Sequence, residues 1–152
     1  MKNILIKRND AYELTATLSG KDVIIGLKDL KSKFDLANMP YIYRASRLCE
    51  EGIVTAKWLK DASVKIESEK LIITGTLAGL KVMHFFNLPK DREYLEECIH
   101  VTNSTREVIS LEKFEFGLQR TISDETGRIN SDLNKDRLIA IPFRRRSSDP
   151  PG

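Results

Sequence analysis

Apolar and polar positions alternate with a period of two along most of this chain. In residues 12–18 (YELTATL), Tyr12, Leu14, Ala16 and Leu18 fall on one side and Glu13, Thr15 and Thr17 on the other. Successive side chains of an extended strand point to opposite faces, so this pattern predicts a half-buried strand. Ser19-Gly20-Lys21-Asp22 is a turn cluster, and the apolar run behind it, residues 23–27 (VIIGL), completes an expected hairpin. Residues 28–42 are less regular. Leu27, Leu30 and Phe34 have the spacing of a short helical turn, which Pro40 would end near Asn38, because a residue before proline is pushed out of the α region.

From residue 52 onward the pattern sharpens. Residues 52–58 (GIVTAKW), 63–67 (SVKIE), 71–77 (LIITGTL) and 80–88 (LKVMHFFNL) are short and rich in the β-branched and aromatic residues that strands favour. Ser68-Glu69 and Ala78-Gly79 supply tight connections, and Pro89-Lys90-Asp91 closes the last of these strands. Residues 94–102 (YLEECIHVT) are then expected to pair with residues 107–120 across Asn103-Ser104-Thr105-Arg106. In that second partner Ile109 and Leu111 share one parity while Phe114, Phe116 and Leu118 share the other, and the change of phase near Lys113 predicts a β-bulge. A polar loop, SDETGRINSDLNKD, precedes a last strand, RLIAIPF. Strands about every ten residues indicate a sandwich or barrel. The expected fold is an all-β antiparallel sandwich over residues 1–143, with residues 144–152 as a basic, Pro- and Ser-containing tail or truncated linker.

Composition narrows the function classes. Hydrophobic residues make up 41% and charged residues 31% of the 152 positions, ordinary for a globular domain and unlike a disordered chain. No run of about 18 apolar residues could cross a bilayer as a helix. The opening MKNILIKRND has an apolar stretch of only Ile4 to Ile6, so no signal-peptide core is expected and the reading is cytoplasmic. Without secretion, Asn103-Ser104-Thr105 is not a glycan acceptor. Of the net charge of +3, the terminal RRRSSDPPG holds +2, leaving +1 on the rest; a body so near neutrality offers no broad footprint for nucleic acid. Cys49 and Cys98 lack metal-ligand spacing and read as reduced, buried thiols.

Three blocks then carry a resemblance. LEECIHVTN (residues 95–103), VISLEKFEFGLQR (108–120) and LIAIPFRR (138–145) occur in the order and spacing of the N-terminal domain of alpha-galactosidase-type glycoside hydrolases, and the likeness spans roughly residues 52–146. The resemblance implies a β-supersandwich of the galactose mutarotase kind, preceding a catalytic (β/α)8 barrel that carries both catalytic carboxylates. Nothing in this chain corresponds to that barrel, so no catalytic residue is carried over. The expectation is a leading domain or fragment of such an enzyme, with the barrel as its downstream partner. A sandwich incomplete at its C-terminal end would leave an unpaired edge that invites association with another chain.

Candidate chemistry is sparse. Glu96 and Glu97 are adjacent on a strand and therefore face opposite ways, so they cannot flank one glycosidic bond, which needs facing carboxyl groups roughly 5–9.5 Å apart. One is expected in solvent and the other at a turn or beside Arg92. His84 shares parity with Val82 and Phe86, and His100 with Cys98 and Glu96. A mutarotase-like or lyase-like enzyme would need one of them beside a carboxylate in a pocket; the plainer reading is two structural or surface histidines. No cofactor or metal is expected. Tyr41, Tyr43, Phe85, Phe86, Phe114 and Phe116 read as core. Trp58, set between Lys57 and Lys60, is the residue expected to bind carbohydrate, because an indole face stacks on the C–H face of a pyranose. Arg144-Arg145-Arg146 reads as a solvated end, and Gly75, Gly79 and Gly117 as bulge or turn glycines. The expected function is a non-catalytic β-sandwich domain of a glycoside hydrolase that supports the barrel and contributes to carbohydrate binding. A free-standing carbohydrate-binding sandwich is the alternative, and a mutarotase-like enzyme the third reading.

Overall fold

A computed structural model describes residues 4–121, which form eleven strands and, among these residues, no helix. The strands are β1 (Ile4–Arg8), β2 (Tyr12–Ser19), β3 (Asp22–Asp29), β4 (Asp35–Pro40), β5 (Ile42–Cys49), β6 (Gly52–Ala56), β7 (Lys60–Glu67), β8 (Lys70–Leu77), β9 (Leu80–Asn87), β10 (Glu96–Thr102) and β11 (Ser110–Gly117). They make three antiparallel sheets, ordered β1-β2-β3-β4, β10-β9-β8-β7 and β11-β5-β6. The expected all-β antiparallel sandwich is the observed class.

Two-residue connections set most of the registers. Gly20 opens the β2–β3 turn at φ 61°, and Ala78-Gly79 join β8 to β9 with φ of 50° and 79°. Positive φ at both central residues is the type I′ arrangement, whose twist matches that of the flanking strands. Inward parity is kept along β9, where Leu80, Val82 and Phe86 are buried, as is Leu88 just beyond it. One apolar cluster joins all three sheets: Leu14, Ile25 and Leu27 from the first, Leu71, Ile73 and Phe86 from the second, and Tyr43 and Ala45 from the third.

Two expectations are corrected. Residues 27–34 form no helical turn. Leu27 is paired across both its neighbours, with Leu14 and Ala37, and Asp29 then turns the chain by accepting hydrogen bonds from the amides of Lys31 (2.9 Å) and Ser32 (3.4 Å). Pro40 ends β4, a position at a strand terminus where its missing N–H is tolerated. Nor do β10 and β11 form a hairpin. β10 pairs with β9, whereas β11 crosses to β5, where Phe116 lies opposite Tyr43 with the rings edge to face at 6.1 Å. β11 thereby becomes an edge strand of the third sheet with Phe114 and Phe116 against the core, and the chain leaving it reaches the first sheet through Gln119, whose carbonyl accepts from the Asn38 amide at 3.0 Å. The bulge expected near Lys113 is present as a register shift between Leu111 and Lys113. The last expected strand and the tail at residues 144–152 lie outside the described residues. No helix among the described residues is long and apolar enough to cross a membrane.

Candidate functional site

Trp58 occupies the bend between β6 and β7. Its neighbour Leu59 is driven into the core, 2% exposed, so the period of two turns the indole outward, where 46% of it is exposed. Close packing beneath the bend comes from Gly75 on β8: a Cβ there would stand 2.5 Å from Leu59 Cγ and 2.8 Å from the Lys60 carbonyl oxygen. A glycine is what allows the bend to lie this near the sheet.

The indole stands between two depressions. One, of about 470 Å³, is lined by Thr55, Ala56, Lys57, Lys60, Thr76, Ala78 and Gly79 along with Trp58. The other, about 450 Å³, also touches Trp58 and Lys60 and adds Leu18, Lys21 and Asp61. The Lys21 ammonium sits 4.6 Å from the indole centroid, a cation–π distance. A third depression of about 340 Å³ shares Thr55, Ala56 and Lys57 with the first and adds Arg44, Lys113 and Glu115. Glu115 is held below the usual carboxylate range, chiefly by its hydrogen bond from Lys113, with Arg44 also contributing.

Arg47 lies below this surface. It is buried on β5, and its Nε donates to the Ala78 carbonyl at 2.6 Å, while Nη1 has no hydrogen-bond partner. No carboxylate among the described residues pairs with it. Burying a polar nitrogen without a partner is costly, and Nη1 is such an atom under the Ala78-Gly79 turn.

A second polar cluster ties two sheets together. Tyr43 on β5 meets His84 on β9, Oη to Nδ1, at 2.7 Å; His84 Nε2 lies 3.0 Å from Glu97 Oε1 on β10, and Tyr41 Oη donates to the same carboxylate oxygen. Despite the 3.0 Å separation, Nε2 makes no well-aligned hydrogen bond to Oε1. The contact with His84 nonetheless holds the Glu97 carboxyl below its ordinary value, with the Tyr41 hydrogen bond acting the same way against partial burial. Burial, first, and the neighbouring Glu97 charge push the phenols of Tyr41 and Tyr43 far up, so both remain protonated. Tyr43 Oη and His84 Nδ1 share one hydrogen bond, whose donor follows from the imidazole tautomer.

The sequence-derived candidates separate cleanly. Tyr41, Tyr43 and Phe86 are buried, as expected of core aromatics, while Phe114 and Phe116 pack partly buried against the core. Phe85 lies outside it, stacked on His100 at 5.7 Å. Glu96 faces outward and accepts from Asn87 Nδ2 at 2.7 Å. Glu97 does not pair with Arg92: sharing parity with Ile99 and Val101, it turns inward to His84 because β10 lies beside β9. That parity was the available signal for the pair. His84 has no exposed surface, and neither it nor Glu97 lines any of the three depressions. The arrangement clamps β5, β9 and β10 together. Gly79 is a turn glycine, and Gly75 lies beside the register shift between Lys60 and Ser63, as expected of a bulge glycine. No group of three or more metal-ligating side chains occurs among the described residues.

No family model, curated protein or solved structure matches this chain.

Proposed function

We propose that this chain is a non-catalytic, carbohydrate-binding β-sandwich domain of the kind that accompanies the barrel of an alpha-galactosidase-type glycoside hydrolase. The observation that carries the binding role is the placement of Trp58: a half-exposed indole on a bend anchored by Leu59, with a depression on either side. A flat aromatic surface held by its neighbours loses few rotamers when a pyranose stacks on it. The association with a hydrolase barrel rests on the order and spacing of the sequence blocks, two of which form β10 and β11. The non-catalytic character is supported by the burial of His84.

Calorimetric titration with galactose, raffinose-type sugars and acidic oligosaccharides tests the binding role. Binding in the millimolar range, about 4 kcal/mol, is expected. Trp58→Ala should weaken it at least tenfold, roughly 1.4 kcal/mol, without moving the unfolding transition. No sugar binding, or binding indifferent to this substitution, would remove the proposal. Turnover of aryl α-galactosides by the purified chain, lost on replacing His84, would overturn its non-catalytic part.

A further inference from the structure

The three depressions adjoin in series as a trough, each of the outer two sharing lining residues with the first. The first shares Trp58 and Lys60 with the second, and Thr55, Ala56 and Lys57 with the third. Its charged lining is one-sided: five cations, Lys21, Lys57, Lys60, Arg44 and Lys113, stand against Asp61 and Glu115. Glu115 is already engaged by both Lys113, at 2.7 Å, and Arg44, at 3.4 Å. In the central depression the charged lining residues are both lysines, and the Ala78 carbonyl of its wall is held by the buried guanidinium of Arg47, which has no carboxylate partner among the described residues. The chain as a whole is near neutrality apart from its tail, so this concentration of positive charge is local.

We propose that the trough binds a linear, carboxylated oligosaccharide, a chain containing uronic acid residues, with one sugar ring stacked on Trp58 and carboxylates of neighbouring rings meeting the lysines on either side. This deepens the carbohydrate-binding reading and rests on it. Adjoining depressions on both sides of the central one suit consecutive sugar units, and lysine ammonium groups suit carboxylates as mobile point charges. Single-stranded nucleic acid is the competing polyanion, but such channels stack successive bases on several aromatic side chains, and among the described residues Trp58 is the sole aromatic lining this trough.

The full chain is titrated with oligogalacturonate, a neutral galacto-oligosaccharide of equal length, and an oligothymidylate, at low and at physiological salt. Oligogalacturonate should bind at least tenfold more tightly than the neutral sugar, with the advantage shrinking as salt rises. Trp58→Ala should weaken both sugars, and the paired substitution Lys57→Gln, Lys60→Gln should reduce the oligogalacturonate affinity about tenfold. Lys65→Gln, outside the trough and paired with Glu67, is the control expected to bind as the unaltered chain does. Equal affinity for acidic and neutral sugars would overturn this inference and leave the carbohydrate reading standing; no sugar binding would end both. Tighter binding of the oligothymidylate, or an equal loss of both sugars in the double lysine variant, would also overturn it.

Discussion

Tyr43 shows how much a single hydroxyl can hold. It shares a hydrogen bond with the nitrogen of a histidine that has no exposed surface, and that histidine in turn faces Glu97. Removing the hydroxyl leaves Nδ1 buried without a partner, and a buried polar atom deprived of its partner costs about 1–3 kcal/mol. Tyr43→Phe should therefore destabilise the domain by about that amount in denaturant unfolding, although phenylalanine fills nearly the same space. Trp58 is outside this network, so sugar binding by Tyr43→Phe should persist wherever the chain is folded. An unaltered unfolding midpoint would show that the Tyr43–His84 bond contributes nothing.

At the scale of strands, what the sequence made legible was local and what it concealed was long-range. Hairpin members announce themselves because alternation and turn residues lie close together, as in β2–β3 and β7–β8–β9. β5 was hidden: its inward face is Tyr43, Ala45 and Arg47, so a buried cation interrupts the apolar parity while Ile42 and Leu48 fall on the other face. The partner of β11 was equally hidden, since β11 joins β5 across more than sixty residues of chain, and turn chemistry says nothing about such a pairing. Trp58 was legible as an exception to the core pattern; Arg47 and the depressions around Trp58 depend on strands meeting across sheets. Gly75 is where an element acts on the site. A methyl group at this position would meet the buried Leu59 and the backbone of Lys60. Gly75→Ala should destabilise the domain by about 1–3 kcal/mol, the usual range for overpacking, and weaken sugar binding through displacement of the Trp58 bend. Unfolding curves and titration of the same sample check both; wild-type stability would contradict the close approach of the bend.

For the whole molecule, the clamp between sheets predicts a stability profile with two sloping sides. Glu97 has a lowered pKa in the folded state, so its contribution is fully present above its ordinary value of 4.5 and is lost as pH falls through the lower folded value. Tyr41 and Tyr43 have raised pKa values, so their contribution is present below the ordinary value of 10.0 and declines as pH rises beyond it, where the unfolded chain ionises and the folded phenols do not. Glu97 is 36% exposed at its side chain, so solvent screens part of its interaction and the acid slope should be shallow. Asp29 and Glu115 also have lowered pKa values, but they are surface carboxylates whose contributions should diminish in high salt. Denaturant midpoints of the wild type, Glu97→Gln and Tyr43→Phe, measured across pH at high salt, isolate the clamp. The wild type should exceed Glu97→Gln near neutrality and lose that margin below pH 4.5, while Tyr43→Phe should decline less steeply than the wild type above pH 10. A margin over Glu97→Gln that stayed constant through the acid range would mean that the carboxylate is not linked to folding, leaving the Tyr43–His84 bond as the polar tie of this clamp.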